Sequence, residues 1–130
     1  AVSLRENGDA VAARALLESL CARGHADARL HYEIASTCDV LGAERDAVPH
    51  YEASLEIGLV GEERRGAMLG LGSTYRALGR YDDAIRVLGA PRQEFPEARE
   101  LDAFLAMAHY NRGEHAVAME LLLRLVADVS

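Results

Sequence analysis

Apolar residues recur along the chain at the spacing of a helix that buries one face. In one segment they fall at Leu30, Ile34, Cys38 and Leu41, three or four residues apart. That spacing places them on one side of an α-helix. The same spacing returns twice further along the chain, so the sequence predicts an all-α protein.

Glycines mark one point in each copy of a repeated unit. They are Gly8, Gly42, Gly79 and Gly113, and the separations between them are 34, 37 and 34 residues. An alanine follows each glycine after five residues, and a large apolar residue follows after nine. A fixed period of this length is typical of a solenoid, in which each unit packs only on its neighbours. A solenoid of this size is usually a binding surface and not an enzyme.

Turn residues divide the units into helices. Asn7-Gly8 is expected to end a first helix, and Asp9 to cap a second one that runs to about Ala22. The segment from Gly58 to Glu63 holds the three extra residues of the longer interval. Gly89-Ala90-Pro91 predicts an early helix end, because proline cannot donate a backbone hydrogen bond and glycine weakens the last turn.

These boundaries predict one domain over residues 1–130. It consists of a half repeat, residues 1–25, followed by three full repeats at about 27–59, 62–96 and 97–130. Nothing between the units has the composition or length of a linker, so no second domain is expected.

The amino-acid composition indicates which residues build the core and which kind of genome encodes the chain. Half of the residues are apolar, whereas aromatic residues make up only 5% and Trp is absent. We therefore expect closely packed helices rich in Ala and Leu, and not a β-sandwich. All 14 basic residues are Arg, which favours the GC-rich genome of a bacterium.

The net charge of the chain disfavours two classes of binding partner. The net charge is −7, which argues against nucleic acid because phosphate binding needs a basic face. It also disfavours anionic membranes. No apolar run approaches the roughly 20 residues that span a bilayer, and no signal-peptide pattern opens the chain. These observations favour a cytoplasmic location, with neither nucleic acid nor a membrane as partner.

Motifs for catalysis and for metal binding are missing from the sequence. The five histidines are scattered without HxxxH spacing, and Cys21 and Cys38 form neither a CxxC motif nor a zinc pattern. No GxSxG, P-loop or strand-linked GxGxxG occurs. We expect no enzyme activity, no metal and no cofactor, with both cysteines as small core residues.

The residues of the third unit resemble the tetratricopeptide repeat, whose pattern is 34 residues long. The matching residues are Leu71-Gly72-x-x-Tyr75, Gly79-x-Tyr81-x-x-Ala84 and Pro96. The second and fourth units match at equivalent positions, although no unit carries Trp. The resemblance implies a right-handed superhelical solenoid of antiparallel helix pairs. Small residues are expected where paired helices approach closely, at positions 35, 72 and 106 and at positions 47, 84 and 118.

The resemblance also implies a concave groove, lined by the first helix of each pair, that binds a peptide or a protein segment. The positions expected to line this peptide-binding groove are Tyr32, Ser36, Asp39, Leu69, Ser73, Arg76, Met107, Tyr110 and Asn111. Arg76 is expected to be the central charged anchor, flanked by Tyr32 and Tyr110. The alternative is that these residues form an ordinary solvated helix face.

Gly66 and Gly70 allow two explanations. They lie four residues apart in one predicted helix of the third unit, so both occupy the same face. They either let a neighbouring helix approach closely or open the floor of the groove to a ligand backbone.

The last helix has more apolar residues than one buried stripe needs. Ala118, Leu122 and Leu125 are expected to face the paired helix, and Met119, Leu123 and Val126 to face outward. An apolar face of this kind promotes association, so we expect a homodimer through these three residues. This gives the alternative function, a self-assembling structural or scaffold module with no ligand in its groove.

Overall fold

The computed structural model describes residues 2–22, 27–90, 94–95 and 98–129, with side chains at positions 8–20, 27–90, 94–95 and 98–127. This part of the chain forms helices and no strand. The helices are α1 (Val2–Ala22), α2 (Ala28–Val40), α3 (Glu44–Ile57), α4 (Gly61–Ala77), α5 (Tyr81–Gly89), α6 (Arg99–Asn111) and α7 (His115–Val129). None of these helices is long and apolar enough to cross a membrane.

The helices form a solenoid, as the repeat predicts. Within the units, α2 packs on α3, α4 on α5, and α6 on α7. Between units, α4 packs against both α2 and α3, and α6 packs against both α4 and α5. Helices α4 and α6, the first helices of their units, therefore each lie in the cleft between the two helices of the preceding unit.

The repeat glycines close the first helix of each pair. Gly42, Gly79 and Gly113 have φ angles of 73°, 78° and 93°, a left-handed conformation in which a side chain is strained. The residue after each glycine hydrogen-bonds back to the helix; for example, the Ala43 N–H donates to the Cys38 carbonyl at 2.8 Å. These turns reverse the chain, so that the second helix packs on the first.

Small residues lie where the paired helices meet, which confirms the prediction for these positions. A Cβ added to Gly72 would overlap the side chain of Leu88. The other small residues are also nearly inaccessible, at 0–2% exposure: Ala35, Ala47, Ala84, Ala106 and Ala118. Cys38 is buried in the same core, while the side chain of Cys21 lies outside the described residues.

The prediction of a helix break at Asn7-Gly8 is wrong. Residues 2–22 form the single helix α1, and Gly8 lacks the positive φ of the other repeat glycines. A glycine inside a helix costs about 1 kcal/mol relative to alanine, but it ends the helix only where the chain turns back onto a packed partner.

The other helix boundaries agree closely with the sequence. Asp27 caps α2, because its carboxylate accepts a hydrogen bond from the Leu30 N–H at 2.7 Å. The early end of α5 at Gly89 is confirmed. Pro91 and Pro96, which helped to define this boundary and the next unit, lie outside the described residues.

We expect Gly8→Ala to stabilise the protein by up to about 1 kcal/mol, because Gly8 lies within a helix and an added Cβ would meet nothing within 4 Å. Gly42→Ala, at the equivalent repeat position, is the matched control and should destabilise the fold, since its φ is positive. Urea unfolding followed by circular dichroism measures both changes. A loss of stability in Gly8→Ala as large as that in Gly42→Ala would indicate a break at Gly8.

Candidate protein-binding site

Asp39, a predicted groove residue, joins three helices of the protein. Its carboxylate in α2 accepts hydrogen bonds from the Tyr51 hydroxyl in α3 and from the Thr74 hydroxyl in α4, the latter at 3.1 Å. Burial raises the pKa of Asp39, although the two hydrogen bonds oppose the change. Burial and the adjacent carboxylate also raise the pKa of Tyr51. This carboxylate therefore holds successive units together.

Two tyrosines explain why glycine occupies positions 66 and 70 of α4. A Cβ on Gly66 would overlap the hydroxyl of Tyr32, and a Cβ on Gly70 would overlap the ring of Tyr51. Tyr51 is only 3% exposed, and Tyr32 is half-buried. Of the two explanations for these glycines, the structure supports close approach of a neighbouring helix.

Three other predicted groove residues are also partly enclosed. Leu69 packs against the core. The Ser73 hydroxyl donates a hydrogen bond to the Gly70 carbonyl at 3.1 Å. Ser36 is half-buried. The groove surface contributed by α2 and α4 therefore offers few unengaged polar groups to a ligand.

The remaining predicted residues come together at the other end of the solenoid. Arg76, Met107, Tyr110 and Asn111 line a cavity of about 250 Å³ between α6 and α7. We name this cavity the C-terminal cleft. Its full lining is Arg76, Ala106, Met107, Tyr110, Asn111, His115, Ala118, Met119 and Leu122.

The C-terminal cleft combines an apolar surface with one guanidinium group. Arg76 Nε donates a hydrogen bond to Asn111 Oδ1 at 2.7 Å. Among the described side chains, no carboxylate forms an ion pair with Arg76. Tyr110 is 59% exposed and stacks on His115, with ring centroids 4.4 Å apart. The cleft can therefore accept an apolar side chain beside a positive charge.

Comparison with known proteins identifies the repeat. A family model described as "Tetratrico peptide repeat" matches residues 28–129. The chain belongs to the tetratricopeptide repeat family. Such repeats generally mediate protein–protein interaction and are typically non-enzymatic scaffolds. A search of curated proteins finds no match.

A solved structure with a similar fold supports the solenoid. The chain is similar to a crystal structure of nearly identical TPR-like repeats that is named for a kinesin light chain of Podospora anserina. The two chains share 23% sequence identity and superpose with a TM-score of 0.79. The match covers 97% of this chain and 70% of the other. At this identity the likeness concerns the fold alone.

Sequence reasoning missed the α7 side of the cleft in this tetratricopeptide repeat protein. Leu122 was expected to face α6; it lines the cleft beside Ala106 of α6 but is 43% exposed, whereas Leu121 is 6% exposed. With three leucines in a row, helical spacing alone does not determine which one is covered. Alignment of the repeats pairs Leu121 and Leu122 with Val87 and Leu88, which are both buried, so it does not reveal the exposure of Leu122 either.

The residues predicted for self-association, Met119, Leu123 and Val126, are all exposed and lie at helical spacing on one face of α7. Met119 lines the C-terminal cleft. Leu123 and Val126, which are 60% and 67% exposed, lie on α7 outside the cleft lining. The exposed apolar surface of α7 therefore continues from the cleft along the helix, and whether it mediates self-association stays a prediction.

A histidine pair joins α2 and α3 away from the cleft. The Nδ1 atoms of His31 and His50 lie 2.9 Å apart, which fits a hydrogen bond between neutral imidazoles. Burial, followed by the neighbouring imidazole, lowers the pKa of His50. The described residues contain no cluster of three or more groups able to hold a metal ion.

We expect Asp39→Asn to gain stability relative to the wild type as the pH rises above about 4, the ordinary pKa range of Asp. Burial raises the pKa of Asp39, so its contribution to stability is complete at acid pH and declines as the folded protein loses the proton. The amide oxygen of the substituted side chain can still accept the hydrogen bond from Tyr51.

Urea unfolding at several pH values between 4 and 7 measures this difference. Asp27→Asn is the control, because Asp27 is an exposed helix cap. A constant stability difference between wild type and Asp39→Asn across this range would contradict the assignment.

Proposed function

We propose that this tetratricopeptide repeat protein binds a segment of another protein in its C-terminal cleft. One observation carries the proposal: four of the nine predicted groove residues line the same apolar cleft, which also contains a guanidinium group. The other five are largely engaged in contacts within the solenoid.

The chemistry of the cleft suits a protein ligand. Burial of one large apolar side chain contributes roughly 1.5–3 kcal/mol. Arg76 can form a bidentate hydrogen bond with a carboxylate, which would orient the bound segment. Exposed Tyr110 adds a rigid aromatic surface of the kind that is common at binding sites. Because the chain carries a net charge of −7, we propose a protein partner and neither nucleic acid nor a membrane.

The proposal includes no catalytic step and no cofactor. The side chains of the cleft are apolar apart from Arg76, Asn111, His115 and the Tyr110 hydroxyl. The ring of His115 stacks on Tyr110, and this set contains neither a nucleophile paired with a base nor a carboxylate. The cleft is therefore proposed as a docking surface.

The exposed apolar residues outside the cleft support self-assembly as a second candidate function. Leu123 and Val126 lie three residues apart on α7, so they occupy one face of the helix. A second copy that covers this face would remove both side chains from water.

The double variant Arg76→Ala, Tyr110→Ala is expected to lose a binding partner that wild type retains. Each protein would be immobilised and exposed to a lysate of the source organism, with mass spectrometry of the bound proteins. The matched control, Arg29→Ala with Val60→Ala, removes an exposed arginine and an exposed apolar side chain away from the cleft. All variants must first show equal helical content. Recovery of the same proteins by both double variants would contradict the proposed site.

The double variant Leu123→Ser, Val126→Ser is expected to shift a dimer to monomer while leaving ligand binding in the cleft intact. Sedimentation equilibrium over a range of protein concentrations measures the mass. Ala127→Ser, on an exposed part of the same helix, is the control. A wild-type protein that stays monomeric at millimolar concentration would refute the self-assembly candidate.

A further inference from the structure

His31 of α2 and His50 of α3 meet nitrogen to nitrogen. Their Nδ1 atoms lie 2.9 Å apart. The ring centroids lie 5.2 Å apart, which is close to the distance between the nitrogens plus one ring radius on each side. The two Nδ1 atoms therefore point almost straight at each other. This is the geometry of a single N–H···N hydrogen bond; a metal ion bound by both nitrogens would need them to converge on a third point.

This hydrogen bond determines where each imidazole carries its protons. A neutral imidazole has one N–H, so one ring donates through Nδ1 and leaves its Nε2 bare. The other ring accepts at Nδ1 and carries its proton on Nε2. Burial, followed by the neighbouring imidazole, lowers the pKa of His50, so His50 is assigned as the ring that stays neutral and accepts, and His31 as the donor.

The pair cannot take up two protons in the same way. The first proton binds the bare Nε2 of His31 and leaves the hydrogen bond in place, now with a charged donor. A second proton can bind only Nδ1 of His50, which is the atom that accepts the hydrogen bond. Two N–H groups on two positive rings would then face each other. The second protonation therefore removes this contact between α2 and α3.

The charged groups around the pair favour one added proton and not two. Arg14 and Glu18 of α1 and Asp46 of α3 act on His50. Arg14 pairs with Glu18 at 2.8 Å and with Asp46 at 2.9 Å, so these three groups carry one positive and two negative charges. One proton on the histidine pair balances them, and a second leaves an excess positive charge. Helix α4, which also packs on α2, contributes Glu63, whose ion-pair partner is an arginine of α2.

We propose that the His31–His50 pair makes the N-terminal part of the solenoid acid-sensitive: it keeps the α2–α3 contact with one added proton and opens it with the second. Helix α1 is joined to the same place, through the ion pair between Arg14 and Asp46. Because each unit of a solenoid packs only on its neighbours, the opening is confined to this end. The contact between α6 and α7 persists, so the inference is independent of what the C-terminal cleft binds.

The imidazole nitrogens test this geometry in the unmodified protein. The chain is labelled with ¹⁵N, and long-range ¹H–¹⁵N spectra are recorded as the pH is lowered. At neutral pH we expect the two rings to be opposite tautomers, with the proton of His31 on Nδ1 and that of His50 on Nε2. His31 should become positively charged first, and His50 about one pH unit lower or more. The same tautomer on both rings, or protonation of both rings in one step, would overturn the proposal.

His50→Asn removes the second proton site and keeps an acceptor, because the Oδ1 of asparagine can take the place of Nδ1. In the unfolded wild type each of the two rings takes up a proton near pH 6.5, whereas the folded pair takes up only one. The folding equilibrium constant of the wild type should therefore fall about tenfold relative to the variant for each pH unit below about pH 6. Urea unfolding measures this ratio. Asp39 is present in both proteins, so its own pH dependence cancels.

His115→Asn is the matched control, since His115 is exposed on α7, and it should keep the acid sensitivity of the wild type. A constant ratio between wild type and His50→Asn down to about pH 5 would refute the proposal, and so would a control that loses the sensitivity as well. If asparagine at position 50 prevents folding, the nitrogen spectra of the unmodified protein decide the question.

Hydrogen exchange read by mass spectrometry locates the opening. After correction for the intrinsic effect of pH on exchange, peptides from α2 and α3 should lose protection as the pH falls from about 7 to about 5, while those from α6 and α7 keep theirs. His50→Asn should keep protection in all four helices. Equal loss of protection in all four helices of the wild type would mean that the chain opens as one unit, and the confined opening would be wrong.

Discussion

The whole structure depends on one constraint: a pair of helices leaves an apolar cleft that it cannot fill by itself. Each cleft inside the protein is filled by the first helix of the next unit, α4 in one case and α6 in the other. Burial of that helix joins successive units, because a solenoid has no contacts between distant repeats. The same constraint leaves the α6–α7 cleft exposed, with Met119 and Leu122 accessible.

The interfaces between successive units depend on the matched sizes of facing residues and on buried polar contacts. Gly70 of α4 faces the ring of Tyr51, so the bulky tyrosine requires a residue without a side chain opposite it. The hydroxyl of the same tyrosine donates to Asp39, which also accepts from Thr74 in the next unit. A half-buried carboxylate is costly unless its hydrogen bonds are made, so this contact favours one register of α4 over displaced ones.

The sequence predicts the helices well because their signals are local. The φ-positive turns at Gly42, Gly79 and Gly113 and the early end of α5 follow from short-range chemistry. The site is less predictable, since it depends on which faces stay uncovered after packing. Asp39 occupies a groove position in the repeat, yet its neighbours in α3 and α4 engage it. At Gly8 the local signal failed, because a turn needs a packed partner as well as a glycine.

Repetition also makes the exposed cleft more informative than an isolated apolar patch. An apolar patch alone indicates contact with something but does not describe the shape of the contact. Here the inner units supply two examples of the same cleft in its filled state, and in each of them the first helix of the next unit fills it. A ligand that binds between α6 and α7 would meet a preformed surface, so little of its binding free energy would be lost in ordering the protein.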